Sequence, residues 1–190
     1  MRTARMIGPF ADPAGYDRHV HRPFGRLHAR VVADATAAGL PDGARVLDVG
    51  TGPGRIPLAL AAARPGWTVD AVDLDPAMIE YARRKDPAGR VTFTAGDVAD
   101  LPYPDASFDL IVTSMSQHHW TDVESAFRSL RRVVRPGGRV WVYDARFALG
   151  RATRAARVAF GPEAVRRDPV RTGRLPLTVF ARLTAAPDPR

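Results

Sequence analysis

The sequence predicts one α/β domain, in which a mostly parallel sheet carries helices on both faces. Three observations predict it. Short apolar runs, most of them ending in an aspartate, recur through the first 145 residues. Segments with helical apolar spacing lie between them, and a glycine-rich loop joins the first run to a helix. A chain of 190 residues is long enough for one domain with a sizeable core.

The glycine-rich loop lies in residues 46–55, which begin as an apolar strand and continue through Gly50, Gly52 and Gly54. A helical pattern follows from Ile56 to Ala63. Glycine adopts backbone angles that other residues avoid, and its missing Cβ lets a ligand approach the main chain. A helix N-terminus presents free N–H groups and a partial positive charge. The loop therefore suits a nucleotide-like ligand with an anionic group.

Details of the loop decide between classes of nucleotide. A phosphate-binding P-loop needs Gly-Lys-Ser/Thr, but Arg55 follows Gly54. The dinucleotide fingerprint G-x-G-x-x-G is absent, since the glycines here alternate. Asp48 precedes Gly50 by two residues and would face the pyrophosphate of a dinucleotide. Its charge suits instead a ligand with an ammonium group and a sulfonium.

The segment from Asp48 to Gly54 has the form D/E-x-G-x-G-x-G. In this it resembles the first motif of the class I S-adenosylmethionine-dependent methyltransferases, in particular the small-molecule enzymes of ubiquinone and menaquinone biosynthesis. The resemblance covers residues 16–145. It implies a Rossmann-like, doubly wound, seven-stranded sheet, mostly parallel with an antiparallel last strand. It implies S-adenosyl-L-methionine as cofactor, S-adenosyl-L-homocysteine as product, and cofactor contacts from the following loop residues: Asp48, Gly50, Thr51, Gly52 and Gly54.

The second strand pattern ends at Asp73, where a carboxylate can accept both hydroxyls of a ribose. The alternative is that Asp73 only caps a loop. Asp75-Pro76 then predicts a helix start, with aspartate as N-cap and proline at the first helical position. The resemblance implies that Leu74 packs on the adenine. Met78, on the inward face of this helix, is a further candidate cofactor contact.

The third and fourth strand patterns end in the remaining candidate cofactor residues. Gly96-Asp97 follows the third. In the family this acid binds the adenine amino group and the next backbone N–H binds a ring nitrogen, roles that fall on Asp97 and Val98. The fourth strand is predicted from Phe108 to Thr113, and Ser114 lies at its carboxyl end, where open α/β sheets place their ligands.

His118 and His119 follow the fourth strand and are the candidate catalytic residues. An oxygen or nitrogen nucleophile can require a general base, and the ordinary histidine pKa near 6.5 suits that task. In the alternative interpretation one histidine packs against the adenosine and the other faces outward. His119 is therefore also a candidate cofactor contact.

The next two elements are predicted from end signals. Thr121 and Glu124 form a capping box that starts a helix. Pro136-Gly137-Gly138 ends it, and Arg139 to Tyr143 is the fifth strand. The phrase LRRVVRPGGRV, residues 130–140, recurs in the same family.

The domain divides into an N-terminal helical cap segment, residues 1–38, a cofactor-binding core, 39–145, and a short helix with the final strands, 146–190. The cap segment is predicted to be helical over 26–38. Tyr16 precedes that helix. The resemblance places it at the methionyl end of the cofactor, as a hydrogen-bond donor or through cation–π attraction. The alternative is a packing tyrosine.

The last segment is predicted to contain a helix, 151–160, and two antiparallel strands, 165–171 and 177–183. It leaves little room for a substrate lid. We therefore expect a shallow, open pocket that depends on the cap segment, the loop after Thr113, or a second subunit.

Composition limits the partners. The net charge of +8 requires a nucleic-acid partner to be considered. The arginines are dispersed and lack interleaved aromatic residues, which favours solvated surface. Without cysteine there is no disulfide or cysteine-based metal site, and the five histidines have no zinc-like spacing. No apolar stretch is long enough for a membrane span and residues 1–7 do not resemble a secretion signal, so we expect a cytoplasmic, bacterial protein.

Three functions remain. The first is transfer of a methyl group to an O, N or C nucleophile of a small molecule. The second is a non-catalytic cofactor-binding regulatory or partner subunit on the same fold. The third is an RNA or protein methyltransferase. Residues 114–117 argue against it, because they read SMSQ where many amino-directed nucleic-acid methyltransferases have an Asn/Asp-Pro-Pro-Tyr/Phe motif. A homodimer is left open.

Overall fold

The computed structural model describes residues 12–173 and 178–187, with the main chain alone at residues 20–23. The predictions made for residues 1–7 and for the strand start at 177 lie outside these ranges. Among the described helices, none combines the length and apolarity that a bilayer crossing requires.

Seven strands form one sheet in the order β3-β2-β1-β4-β5-β7-β6. Strands β1 to β5 are parallel, and β7 runs antiparallel between β5 and β6. The predicted fold class is confirmed. The strands are β1 Arg45–Val49, β2 Thr68–Asp73, β3 Val91–Ala95, β4 Phe108–Ser114, β5 Val134–Ala145, β6 Val165–Val170 and β7 Phe180–Ala185.

Helices cover both faces of the sheet because its central strands are apolar on both sides. In β4, Leu110 belongs to one apolar cluster and its neighbour Ile111 to the other. Helices α1 to α3 pack into the first cluster, and α4 and α5 into the second. The helices are α1 Pro13–Thr36, α2 Arg55–Ala63, α3 Pro76–Arg84, α4 Val123–Val133 and α5 Leu149–Phe160, with short 3-10 turns at Val98–Asp100 and Gln117–His119.

Helix α1 is longer than predicted, since it runs from Pro13 and not from residue 26. The Asp12 carboxylate is its N-cap and accepts the N–H groups of Ala14 and Gly15 at 3.1 and 2.8 Å. Proline occupies the first helical position. This is the same Asp-Pro start signal that marks α3, and it places Tyr16 inside the helix rather than before it.

Two other predicted boundaries are wrong. The N-cap of α4 is Asp122 and not Thr121, because the Asp122 carboxylate accepts both the N–H and the hydroxyl of Ser125, at 2.9 and 2.5 Å. Strand β5 begins at Val134, well before Arg139. Val134 pairs with Phe108, and the register then shifts. The strand therefore passes through the Pro-Gly-Gly segment that was expected only to end the helix.

The second half of α1 is fixed to the sheet through a buried polar network. The Tyr143 hydroxyl on β5 donates to the Asp34 carboxylate at 2.9 Å, and Arg182 on β7 lies 3.4 Å from the same oxygen. The Arg182 guanidinium also stacks over the Trp141 ring at 4.8 Å. Burial raises the pKa of Tyr143, so its hydroxyl remains a donor. The network holds α1 across the central strands.

The start of α2 lies directly against α3 and β3, and Gly54 makes this close approach feasible. Gly54 has φ +75°, the left-handed region that glycine adopts without strain. A Cβ there would lie 2.9 Å from the Ala82 Cβ and 3.0 Å from the Phe93 ring. The third glycine of the loop therefore has a packing role.

Gly54→Ala should destabilise the protein more than Gly137→Ala. Both glycines have φ +75°, but nothing lies within 4 Å of a Cβ at Gly137. Each variant should lose about 1–2 kcal/mol from the left-handed backbone. Gly54→Ala should lose about 1–3 kcal/mol more from overpacking. Urea unfolding checks this, and equal losses would show that Gly54 is needed only for its backbone angle.

Candidate functional site

The glycine-rich loop is tied to the neighbouring strand by its main chain. The N–H groups of Gly50 and Thr51 both donate to the Val72 carbonyl, at 2.8 and 3.1 Å. All three loop glycines have positive φ, including +67° at Gly50 and +51° at Gly52. The loop therefore reverses tightly at the carboxyl ends of β1 and β2 and leads into α2.

Asp73 lies at the end of β2 and holds the loop in place. One carboxylate oxygen accepts the Gly52 N–H at 2.7 Å, and the other accepts the Asp75 N–H at 2.9 Å. Burial raises the pKa of Asp73, against the lowering effect of these N–H groups. Next to it, the Leu74 side chain is 58% exposed. The Asp73 carboxylate, which the sequence predicts to bind a ribose, therefore has an exposed apolar surface beside it. The same carboxylate also caps the loop, which is the alternative interpretation of Asp73.

Asp48 lies beneath the loop in β1 and is only 1% exposed. Its carboxylate accepts the Thr51 hydroxyl at 2.7 Å. Burial raises the pKa of Asp48 to about 7, and the nearby charge of Asp73 acts in the same direction. A cationic ligand group above the loop would relieve the repulsion between these two carboxylates.

Tyr16, on the first turn of α1, lies over the loop. A Cβ on Gly52 would lie 3.7 Å from the Tyr16 ring, so the open side of Gly52 faces this tyrosine. Burial, together with the charge of Asp73, raises the pKa of Tyr16. The structure therefore brings Tyr16 to the loop, and its role as a cofactor contact stays a prediction.

A buried ion cluster centred on Asp17 fixes the start of α1. The Asp17 carboxylate accepts from Arg55 on α2, from Tyr81 on α3 at 3.1 Å, and from Lys85 at 3.1 Å. The Lys85 ammonium also donates to the Pro53 carbonyl in the loop, at 2.8 Å. Burial alone would raise the pKa of Asp17, but the Lys85 and Arg55 hydrogen bonds lower it. The sequence analysis missed this cluster.

The candidates from α3 and from the end of β3 differ in exposure. Asp97 is exposed, and its carboxylate accepts the Ala99 N–H at 2.9 Å to cap the turn Val98–Asp100. The Gly96 N–H donates to the Asp73 carbonyl at 2.9 Å, so Asp97 and Val98 follow directly where the two strand ends meet. Met78 is 1% exposed and lies in the interior of the protein. Their roles as cofactor contacts stay predictions.

The loop after β4 packs directly on the glycine-rich loop. A Cβ on Gly50 would overlap the Ser116 hydroxyl, so only glycine fits there. The Ser116 oxygen accepts the Trp120 indole N–H at 3.1 Å. Ser114 ends β4, and its buried hydroxyl has no hydrogen-bond partner in the described part of the chain. This loop therefore forms the second wall of the site.

The two histidines on this wall have different surroundings. The Nδ1 atom of His118 lies 3.1 and 2.9 Å from the two carboxylate oxygens of Asp144, which is completely buried at the end of β5. The His119 ring contacts the His118 ring, with the centroids 4.0 Å apart and the ring planes tilted by 47°. Burial, and then the neighbouring His118, lower the pKa of His119. No sequence pattern singled out Asp144 as a partner of His118.

Comparison with known proteins identifies the family. The family described as "Methyltransferase domain" matches residues 47–142, half of the chain. The chain belongs to this family. The predicted resemblance to class I S-adenosylmethionine-dependent methyltransferases is confirmed, and S-adenosylmethionine is the cofactor of such enzymes.

Curated relatives match the same core. The chain is 38% identical over 102 residues to the demethylmenaquinone methyltransferase of Thermus thermophilus, covering 53% of this chain and 46% of that protein. It is 36% identical over 119 residues to the 27-O-demethylrifamycin SV methyltransferase of Amycolatopsis mediterranei, covering 60% and 43%. The chain thus spans less than half the length of these relatives.

A solved structure supports the fold over nearly the whole chain. The TehB-like SAM-dependent methyltransferase from Corynebacterium glutamicum superposes with a TM-score of 0.69 at 22% identity, covering 93% of this chain and all of that one. In this chain the last segment packs α5 against α4 and pairs β6 with β7.

Asp17→Asn should destabilise the protein by about 1–3 kcal/mol, because it removes the charge that pairs with two cations at a buried position. The effect should be largest at neutral pH. The folded-state pKa of Asp17 is lowered, so the stabilisation is present above the ordinary aspartate pKa and disappears as pH falls through the lowered value. Urea unfolding at several pH values measures this, and amide exchange should show faster opening at the start of α1.

Glu80→Gln is the matched control, since Glu80 and Arg84 form an exposed ion pair. It should change stability by less than about 0.5 kcal/mol. An equally small effect of Asp17→Asn would show that the buried cluster does not hold α1.

Proposed function

We propose that the chain is an S-adenosylmethionine-dependent methyltransferase that transfers a methyl group to an O, N or C nucleophile of a small molecule. The observation that carries the proposal is Asp73, placed between the glycine-rich loop and the exposed Leu74 at the carboxyl edge of the sheet. The named relatives act on a demethylmenaquinone and a demethylrifamycin, both small molecules, which favours this function over an RNA or protein acceptor.

The residues present fit the cofactor. The open side of Gly52 forms a cradle that a Cβ would fill. Asp73 accepts main-chain N–H groups at both oxygens and would accept the ribose hydroxyls with its remaining lone pairs. Leu74 offers an apolar surface for the adenine, and Asp97 with Val98 would bind the adenine edge. The remaining contacts would come from the following residues of the two walls: Thr51, Ser114 and His119.

The methionyl end of the cofactor would lie between Asp48 and Tyr16. The buried Asp48 supplies negative charge beneath the loop, and Tyr16 lies above it. The cofactor supplies a methyl group on a positively charged sulfur. The protein's own task is to hold an acceptor in line with that carbon and exclude water, which can contribute up to roughly 10 kcal/mol. The Asp17 cluster fixes the start of α1 and therefore the position of Tyr16 above the loop. In this way it would help to exclude water.

The non-catalytic alternative is not favoured, because both named relatives are methyltransferases. The predicted homodimer and cytoplasmic location stay predictions.

Calorimetric titration should show binding of S-adenosylmethionine and S-adenosylhomocysteine and none of NAD. Asp73→Ala should weaken adenosyl binding by about 1.5–3 kcal/mol, because it removes charge-assisted hydrogen bonds to the ribose. Asp42→Ala, at an exposed carboxylate beside Arg64, is the control and should leave affinity unchanged. If Asp73→Ala left the affinity unchanged, Asp73 would not be a cofactor contact. If the protein bound the cofactor but methylated no acceptor, the non-catalytic alternative would be favoured.

Cofactor binding at pH 7 should release protons. With its pKa raised to about 7, Asp48 is partly protonated in the free protein, and a nearby ammonium or sulfonium lowers that pKa. Titrations in phosphate and in Tris should therefore give different apparent enthalpies. Asp48→Asn should abolish the difference, while proton uptake in the wild type would contradict a cation beside Asp48.

The same buried carboxylate should shape the stability of the free protein. Its folded-state pKa is raised, so the folded state binds more protons than the unfolded state between the ordinary aspartate value and about 7. Stability contributed by protonated Asp48 should thus be present at low pH and be lost as pH rises through that window. Asp48→Asn should flatten this part of the stability profile measured by urea unfolding.

A further inference from the structure

We propose that Asp144 positions His118 as a general base for an acceptor hydroxyl, so that this chain methylates oxygen. The proposal rests on the proposed methyltransferase function and narrows its substrate class. It assigns distinct roles to two residues, the histidine that takes the proton and the aspartate that orients it.

The Asp144 carboxylate is held rigidly. One oxygen lies 2.9 Å from His118 Nδ1 and accepts the His118 backbone N–H at 3.3 Å. The other lies 3.1 Å from the same Nδ1 and accepts the Ala145 N–H at 2.8 Å. With donors on both oxygens, the carboxylate cannot turn away from the ring. A buried strand end, rather than a mobile loop, therefore carries the orienting group.

This arrangement fixes the proton on the imidazole. A carboxylate only accepts hydrogen bonds, so Nδ1 carries the proton and donates. The hydrogen bond at one ring nitrogen decides the state of the other. Nε2 is then left with a free lone pair. The His118 side chain is 33% exposed, whereas Asp144 is inaccessible, so the basic nitrogen belongs to the accessible member of the pair.

The buried charge favours a base that becomes positive. Among the described residues, no arginine or lysine pairs with Asp144, whose donors are His118 and main-chain N–H groups. Burying a carboxylate without a partner is costly. An imidazolium at His118 would supply the missing opposite charge 2.9 Å away. An imidazolium formed during the reaction would therefore face a carboxylate directly.

A fixed base points to a hydroxyl acceptor. A neutral amine already presents a lone pair to the methyl carbon and can lose its proton afterwards. A hydroxyl oxygen is a weak nucleophile until its proton leaves, so it gains most from a base held in position. His118 also lies on the wall that touches the glycine-rich loop through Ser116 and Gly50. The base is thus next to the segment that would hold the cofactor.

The step balances as follows. The hydroxyl proton passes to His118 Nε2 while an oxygen lone pair forms the bond to the methyl carbon. The carbon–sulfur bond breaks, and its electron pair stays on sulfur. The positive charge lost by sulfur appears on the imidazolium facing Asp144, which later gives its proton to water.

The first test needs no cofactor. Nitrogen-15 spectra of the imidazole groups in the free protein, recorded through a pH titration, should show that the neutral form of His118 carries its proton on Nδ1. Asp144→Ala should abolish this preference, and Asp105→Asn, at an exposed carboxylate paired with Arg132, should keep it. A wild-type His118 protonated on Nε2 would overturn the positioning role, whether or not Asp144→Ala folds.

The second test uses 2-naphthol, 2-naphthylamine and 2-naphthalenethiol as matched probes. Methylation of the naphthol should have a kcat that falls about 100-fold or more in His118→Gln and about 10-fold or more in Asp144→Asn. KM should hardly change, and Asp105→Asn should match the wild type. Methylation of the amine or thiol alone, or equal kcat in all variants, would overturn the oxygen-directed proposal.

Binding calorimetry with S-adenosylmethionine on the same variants distinguishes a failure of the proposed methyltransferase function from a failure of the general-base role of His118. If no variant and no wild-type protein binds it, the proposed function fails. If all bind it and His118 carries its proton on Nε2, only the present inference fails. If none of the three probes is methylated, the position of the proton on the neutral His118 imidazole decides whether Asp144 has the positioning role.

Discussion

The site depends on the order of the central strands. Strand β1 lies between β2 and β4, so the chain builds outward on one side through β3 and then returns to the other side of β1. The loops after β1 and β4 consequently lead to helices on opposite faces of the sheet, and an open α/β sheet binds its ligand at the strand ends between such loops. Ser116 and Gly50 pack together there. Each group proposed to bind or react lies at one of these strand ends or covers them from α1.

The candidate site has acidic side chains on both sides. Asp48 and Asp73 lie under and beside the glycine-rich loop, and Asp144 lies beneath the opposite wall. The net charge of +8 is carried by arginines dispersed along the rest of the chain. A positive charge that moved from the sulfur of the cofactor to His118 would leave the side of Asp48 and Asp73 and arrive beside Asp144. The protein would need little rearrangement to accommodate it, which is the condition for effective electrostatic stabilisation.

The sequence predicted best what adjacent residues determine. Apolar runs located the parallel strands, and Asp73 ends one of them as predicted, while its role at the ribose stays a prediction. The Asp12-Pro13 start of α1 was equally local but was overlooked. At α4 both Thr121 and Asp122 are suitable N-caps, and the Asp122 side chain is the one that reaches Ser125.

Contacts between distant segments could not be predicted in the same way. Asp17 lies 38 residues from Arg55 and 68 from Lys85, and nothing in their local sequence pairs them. Asp144 lies 26 residues from His118, and their contact depends on the pairing of β4 with β5. The charge of each residue is evident from the sequence, but its partner follows only from the packing of whole elements.

Lys85 has a consequence for protein chemistry. It is the only lysine in the sequence, and its ammonium joins α1 to the glycine-rich loop through Asp17 and Pro53. Acetylation, reductive methylation or coupling to an amine-reactive support would therefore act on a single side chain, and that side chain lies at the junction between the cap segment and the cofactor loop. Acetylation would remove the charge that pairs with Asp17, whereas reductive methylation would keep it, so the two procedures should differ in their effect on the first turn of α1.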